Sequence, residues 1–274
     1  MLGKYLEAVR GTSPLIHNIT NYVTVNDCAN ILLACSASPI MSDDCGEVEE
    51  ITTICGGLNI NIGTLNKETI PAMFLAGKKA DALGHHIILD PVGVGASALR
   101  TETAKRLLDE IKFSVIRGNI SEIKTLALGT GSTKGVDADV ADKVTDETLA
   151  NVIAFAQDFS KTTGAVIAIT GAIDIVANGE RAFAIRNGHP MMARITGSGC
   201  MLTAMTAAFI TANPEDVFEA TAASICAMGL CGEKAFVTME QNSAGNSSYR
   251  NYLIDEIYKL TSKDLDEGAK YKLV

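Results

Sequence analysis

From Met201 to Ile210 the chain reads Met-Leu-Thr-Ala-Met-Thr-Ala-Ala-Phe-Ile, with no charge and no polar stripe. A helix apolar almost all round has no face to give to water, so the rest of the chain must wrap it. It is entered through Arg194-Ile195-Thr196-Gly197-Ser198-Gly199-Cys200. The glycines permit backbone torsions closed to other residues, so that successive N–H groups converge on one point. The helix start adds unpaired N–H groups and a positive dipole end. Residues 197–199 therefore suit an anion, and they equally suit a tight turn into a core helix. Cys200 falls at the helix start, where a thiolate is stabilised.

The wrapping material alternates. Apolar runs predict strands at 14–19, 38–42, 58–63, 85–91, 114–117 and 165–170, with helices between them at 22–34, 47–54, 68–83, 101–111, 121–127 and 146–162. Such alternation implies an α/β fold, a mainly parallel central sheet flanked by helices on both faces. Asn178-Gly179 joins two late strands as a hairpin, adding antiparallel strands at one edge. Helices are expected at 1–10, 214–236 and 249–260. Residues 129–139, rich in Gly, Thr, Ser and Asp, lack periodicity and read as an exposed loop. No linker or repeat divides residues 1–274, so one domain is expected.

The net charge of −9 argues against a nucleic-acid partner. The seven cysteines form no C-x-x-C pair and mostly sit in apolar runs, as reduced thiols do. Cys28, Cys35, Cys226 and Cys231 read as packing residues. No stretch of about 18 uninterrupted apolar residues suggests a membrane span, and no apolar signal core opens the chain. A cytoplasmic location is expected.

In open parallel sheets, ligands bind beyond the carboxyl ends of the strands. Those ends carry His17-Asn18, Met41, Asn61, Asp90, Arg117-Gly118-Asn119 and Thr170-Gly171. Arg117, a cation at the end of an interior strand, needs a partner, and a phosphate is a good one. Asn119 and Glu122, three apart on a first helical turn, share a face and offer hard oxygens to Mg²⁺; the same pair also makes a helix cap. Asp90 can hold a metal-bound water, orient a catalytic group or simply cap the glycine turn after it. His17 and His189 can line a pocket, whereas His85 and His86 read as solvent or core residues. The Asp90 stretch lacks the dinucleotide fingerprint G-x-G-x-x-G, and the absence of G-x-x-x-x-G-K-[ST] excludes a P-loop kinase.

Taken in order, His17-Asn18-Ile19-Thr20-Asn21-Tyr22-Val23, Ala37-Ser38-Pro39-Ile40-Met41, Asn61-Ile62-Gly63-Thr64-Leu65, Leu89-Asp90-Pro91-Val92-Gly93-Val94-Gly95-Ala96, Arg117-Gly118-Asn119-Ile120-Ser121-Glu122, Lys134-Gly135-Val136-Asp137 and Thr196-Gly197-Ser198-Gly199-Cys200 resemble the hydroxyethylthiazole kinase family. The resemblance covers about residues 14–210 and implies a ribokinase-like fold. It also implies transfer of the γ-phosphoryl of ATP to the alcohol of 4-methyl-5-(2-hydroxyethyl)thiazole, with Mg²⁺, in thiamine biosynthesis. A homotrimer with substrate pockets between subunits is implied too, and the apolar helix 23–33 suits such contacts. By the same resemblance, Arg117 and Thr170 contact ATP, and Met41 and Gly197 hold the thiazole. Asp90 and Glu122 lie on the magnesium side. Gly197, Ser198 and Gly199 form the anion hole, and Cys200 is the catalytic residue. A kinase of another vitamin alcohol, a nucleotide-dependent hydratase on a similar fold and a non-catalytic binding protein are the competing readings.

Overall fold

The computed structural model describes residues 1–129 and 144–274. Its strands are β1 (Leu15–Ile19), β2 (Ser38–Met41), β3 (Gly57–Asn61), β4 (His86–Asp90), β5 (Val115–Asn119), β6 (Val166–Thr170), β7 (Asp174–Ala177), β8 (Ala182–Ile185) and β9 (Tyr271–Leu273). They join in one sheet in the order β2-β1-β3-β4-β5-β6-β7-β8-β9. The first six are parallel neighbours, and the last three add antiparallel pairs at one edge. The expected architecture is therefore the observed one.

One face is covered by α1 (Gly3–Thr12), α2 (Val25–Ala34), α8 (Ser198–Ala212), α9 (Val217–Gln241), α10 (Asn246–Lys259) and α11 (Ser262–Gly268). The other carries α3 (Val48–Ile54), α4 (Thr69–Leu83), α5 (Ala98–Glu110), α6 (Ile120–Leu128) and α7 (Leu149–Thr163). Because strand side chains alternate between faces, Ile88 feeds the first core and Leu89 the second. α8 explains its own composition: it lies on β1, β3 and β4 and is enclosed by α1, α2 and α9, so every residue from Met201 to Ile210 is buried. α9 is also long and apolar enough to cross a membrane, but 72% of its apolar window is buried within the fold, which is the place of a core helix.

Several expected boundaries move for local reasons. α2 begins at Val25, not Tyr22, because the Asn21 side chain closes a turn by accepting the N–H and hydroxyl of Thr24; Tyr22 and Val23 stay exposed. α5 starts three residues early, at Ala98, where Ser97 Oγ accepts the Arg100 N–H. α9 runs on to Gln241, and α11 and β9 extend the fold beyond the last expected helix. Asn178 holds its hairpin as expected, its side chain accepting the N–H groups of Glu180 and Arg181. Cys28, Cys35, Cys226 and Cys231 are all buried. Most of the expected 129–139 loop, with Lys134–Asp137, lies outside the described residues.

Candidate active site

The carboxyl ends of β1 to β6 and the start of α8 form one continuous edge. Gly197 caps α8 at φ +86°, a conformation that only glycine adopts without strain. A Cβ there would meet Thr24 Cγ2 at 2.6 Å, so Gly197 rests on the turn after β1. A Cβ on Gly199 would instead meet Arg117 Nη1 at 2.6 Å. The first turn of α8 thus touches the β1 side through one glycine and the β5 side through the other.

Cys200 lies between them, half-buried. Its Sγ accepts N–H groups from Asn21 Nδ2 at 3.2 Å and Asn61 Nδ2 at 3.3 Å. The orientation of both amides is set by their oxygens. Asn21 Oδ1 accepts from Thr24, and Asn61 Oδ1 accepts the Gly63 N–H at 2.9 Å, leaving both Nδ2 groups for the sulfur. Burial, then the Asp90 charge, raises the Cys200 pKa above the ordinary 9.0, although Thr24, Asn21 and Arg117 oppose the shift. The resting sulfur is therefore a thiol.

Toward β4 and β5 the groups become ionic. Asp90 is fully buried; its Oδ2 accepts Asn61 Nδ2 at 2.8 Å and the Thr203 hydroxyl at 2.8 Å, and it faces Arg117 Nη1 at 3.7 Å. Its Oδ1 has no partner among the described residues. Burial raises the Asp90 pKa against the pull of Arg117. Arg117 Nη2 donates to Thr170 Oγ1 at 2.6 Å, so the two expected nucleotide residues are brought together. Glu122 closes a capping box with Asn119 and also accepts the Gly93 N–H at 2.8 Å. Burial and the nearby Asp90 push it up to about 7 despite those amide bonds. Of the two readings of Asn119 and Glu122, the structure shows the cap, and the Glu122 carboxylate also lies within the field of Asp90.

These residues suit a hydrated magnesium ion. They offer only hard oxygens, one buried carboxylate oxygen awaits a partner, and two carboxylates interact. Among the described residues no cluster of three or more metal-binding side chains occurs. Such an ion would therefore draw most of its ligands from phosphate and water.

A cavity of about 710 Å³ opens from this edge. Arg117, Thr170, Ser198 and Gly199 line it, together with the apolar Met192 and Met228. His189 lines it too, stacked 3.7 Å from the Phe236 ring. Asp174 on the cavity wall accepts the Gly171 N–H at 2.8 Å and is pushed up to about 7, chiefly by burial. Met41 lies on the opposite flank, ending the edge strand β2 beside β1. All the expected site residues thus fall along one edge, in the strand order Met41, Gly197, Cys200, Asp90, Arg117, Thr170. Thr203, Asp174 and the two amides on Cys200 were not singled out for these contacts. Only the strand-end position of Asn61 hinted at its part.

This sheet order, with polar strand ends facing a glycine turn and a buried helix, defines the ribokinase-like class. A ribokinase-like superfamily protein from Enterococcus faecalis shares the fold at 13% identity and a TM-score of 0.61, covering 94% of this chain and 90% of that one. The hydroxyethylthiazole kinase family model matches residues 6–263. The chain is also 68% identical to a hydroxyethylthiazole kinase of Clostridium acetobutylicum over 99% of both chains. The solved structure of a hydroxyethylthiazole kinase protein from Pyrococcus horikoshii superposes with a TM-score of 0.88 at 33% identity, covering 100% of this chain and 98% of that one. The chain belongs to the hydroxyethylthiazole kinase family, and it is an enzyme, a phosphotransferase.

Proposed function

We propose that this strand-end cleft transfers the γ-phosphoryl group of ATP to the hydroxyethyl side chain of 4-methyl-5-(2-hydroxyethyl)thiazole, a step in thiamine biosynthesis and salvage. The observation that carries the reading is the first turn of α8. There the Arg117 guanidinium lies against Gly199, and the next residue, Cys200, holds its sulfur under two amides. Phosphate-binding donors and a proton acceptor are thus adjacent.

Phosphoryl transfer needs alignment and charge neutralisation more than covalent chemistry. The backbone N–H groups of Gly197, Ser198 and Gly199 meet the charge that develops on the transferred group. Arg117, held by Thr170, binds the phosphates, while Met192 and Met228 supply an apolar wall for the base. Met41 and the Gly197 backbone hold the thiazole on the other flank. The alcohol oxygen attacks the γ-phosphorus and the bond to the β-phosphate oxygen breaks. The alcohol proton passes to Cys200 Sγ when it is ionised. Asp90 and Glu122 would hold Mg²⁺ through its water shell, and a bound ion supplies countercharge to the phosphates.

The whole chain, 1–274, serves as one kinase domain in the cytoplasm and assembles as a homotrimer. Exposed Tyr22 and Val23 in the turn after β1, with exposed Leu33 near the end of α2, support that assembly; sedimentation as a stable monomer would refute it. The reaction itself is tested by incubating the enzyme with Mg²⁺, ATP and the thiazole alcohol and weighing the products. A phosphorylated alcohol formed in step with ADP is expected; ADP without it sinks the reading.

A further inference from the structure

His17 belongs to the strand-end pattern, yet none of the steps above uses it. It is wholly buried on β1. Its Nε2 lies 2.9 Å from the Ser42 carbonyl and its Nδ1 2.9 Å from Thr52 Oγ1. A carbonyl only accepts, so Nε2 carries the proton. Burial lowers its pKa, and Nδ1 faces Thr52 Oγ1, whose hydroxyl donates to the Val48 carbonyl at 2.7 Å.

Ser42 directly follows Met41 at the end of β2, an edge strand whose only sheet neighbour among the described residues is β1. The backbone ladder is weak at that point, the Ser42 N–H reaching Asn18 O only at 3.4 Å. The Ser42 hydroxyl is held by Glu47 Oε1, just before α3, while Thr52 lies within α3. His17 is therefore a side-chain link that reaches from β1 to both the Ser42 carbonyl and Thr52 of α3.

We propose that His17 is a positioning residue for the acceptor substrate: its Nε2–H fixes the Ser42 carbonyl and thereby the Met41 backbone that borders the thiazole. This rests on the assignment of the β2 flank to the acceptor. His17 does not touch substrate, so its loss acts on acceptor binding and not on the nucleotide.

Two conservative variants separate the bonds. In His17→Gln the amide N–H sits near the former Nε2 and keeps the bond to Ser42. In His17→Asn the shorter amide replaces only Nδ1 and loses it. Steady-state kinetics of the purified enzyme should show the KM for the thiazole alcohol raised roughly three- to tenfold in His17→Asn. The KM for ATP should stay within about twofold, and His17→Gln should recover most of the loss. Equal effects of the two variants, or a matching rise in the KM for ATP, would overturn the proposal. A bulky Met41→Trp variant tests the assignment beneath it. If Met41→Trp raises the alcohol KM and His17→Asn does not, only the positioning role fails. If Met41→Trp leaves the alcohol KM unchanged, the acceptor assignment fails and the proposal falls with it.

Discussion

The two flanks of the cleft are built from different chemistry. On the β2, β1 and β3 side, the polar groups nearest Cys200 are the neutral Asn21 and Asn61 amides and the Thr24 hydroxyl, and the charges lie behind them, Asp27 paired with Arg250 and Glu47 on the Ser42 hydroxyl. On the β4, β5 and β6 side, they are Asp90, Glu122, Arg117 and the nearby Asp174. A neutral alcohol is oriented by amides without leaving an unpaired charge. A polyphosphate needs a guanidinium, and the carboxylates beside it need a cation. Cys200 stands at the seam, bonded to amides yet raised in pKa by burial and then by Asp90. On the function proposed above, the physical division of the edge is also a division of substrates.

The seam should show the largest effect. Cys200→Ala is expected to lose roughly 10²–10⁴-fold in kcat, the range of a general base, while the backbone N–H groups of the anion hole remain. Cys200→Asp should stay active. Because burial holds the sulfur protonated, the wild-type rate should climb with pH through and above 9.0, and Cys200→Ala should lose that climb. A fully active Ala variant beside a folded, inactive Asp variant would reduce Cys200 to packing.

On the charged flank, Arg117→Ala should raise the KM for ATP roughly 10–100-fold, the worth of a charged hydrogen bond to phosphate. Glu122→Gln keeps the size, removes the charge and costs one backbone bond, since its NH₂ faces an N–H donor. Roughly tenfold more Mg²⁺ should then be needed for half-maximal rate. An unchanged magnesium curve would leave Glu122 as a helix cap alone.

The smallest effect should be one of pH. Asp174 moves from 3.8 to about 7 on folding, so its favourable contribution is complete below 3.8 and is lost as pH rises through about 7. Asp174→Asn keeps the acceptor for the Gly171 N–H and removes the titration. Its melting temperature should therefore gain on the wild type as pH rises from about 4 to about 7 and level off above. A constant difference would show that this carboxylate titrates normally.

The fold was largely legible because its information is local. Strand periodicity, the Asn178-Gly179 hairpin and the uniformly apolar α8 each follow from consecutive residues. Asp90, Arg117 and Cys200 were legible for a second reason, since strand ends and helix starts converge in parallel sheets. The amide cradle was not. Asn61 is 139 positions from Cys200 and Asn21 is 179 positions away, and no short-range pattern sets where an amide points. β9 was missed because its three residues are all exposed, so no buried face betrays it. The start of α2 was misplaced because the Asn21 side chain closes a turn before it allows a helix.

Two glycines, two residues apart, give the most direct test of the divided edge, and Gly199 is the sharper of them. A methyl group there would press on the flexible end of Arg117 and not on Thr24. Both Michaelis constants should be measured for Gly199→Ala. The account predicts a KM for ATP raised about tenfold or more, with the KM for the thiazole alcohol within about twofold of wild type. An equal rise in both constants, or a rise in the alcohol constant alone, would contradict the division of the cleft into an amide flank and a charged one.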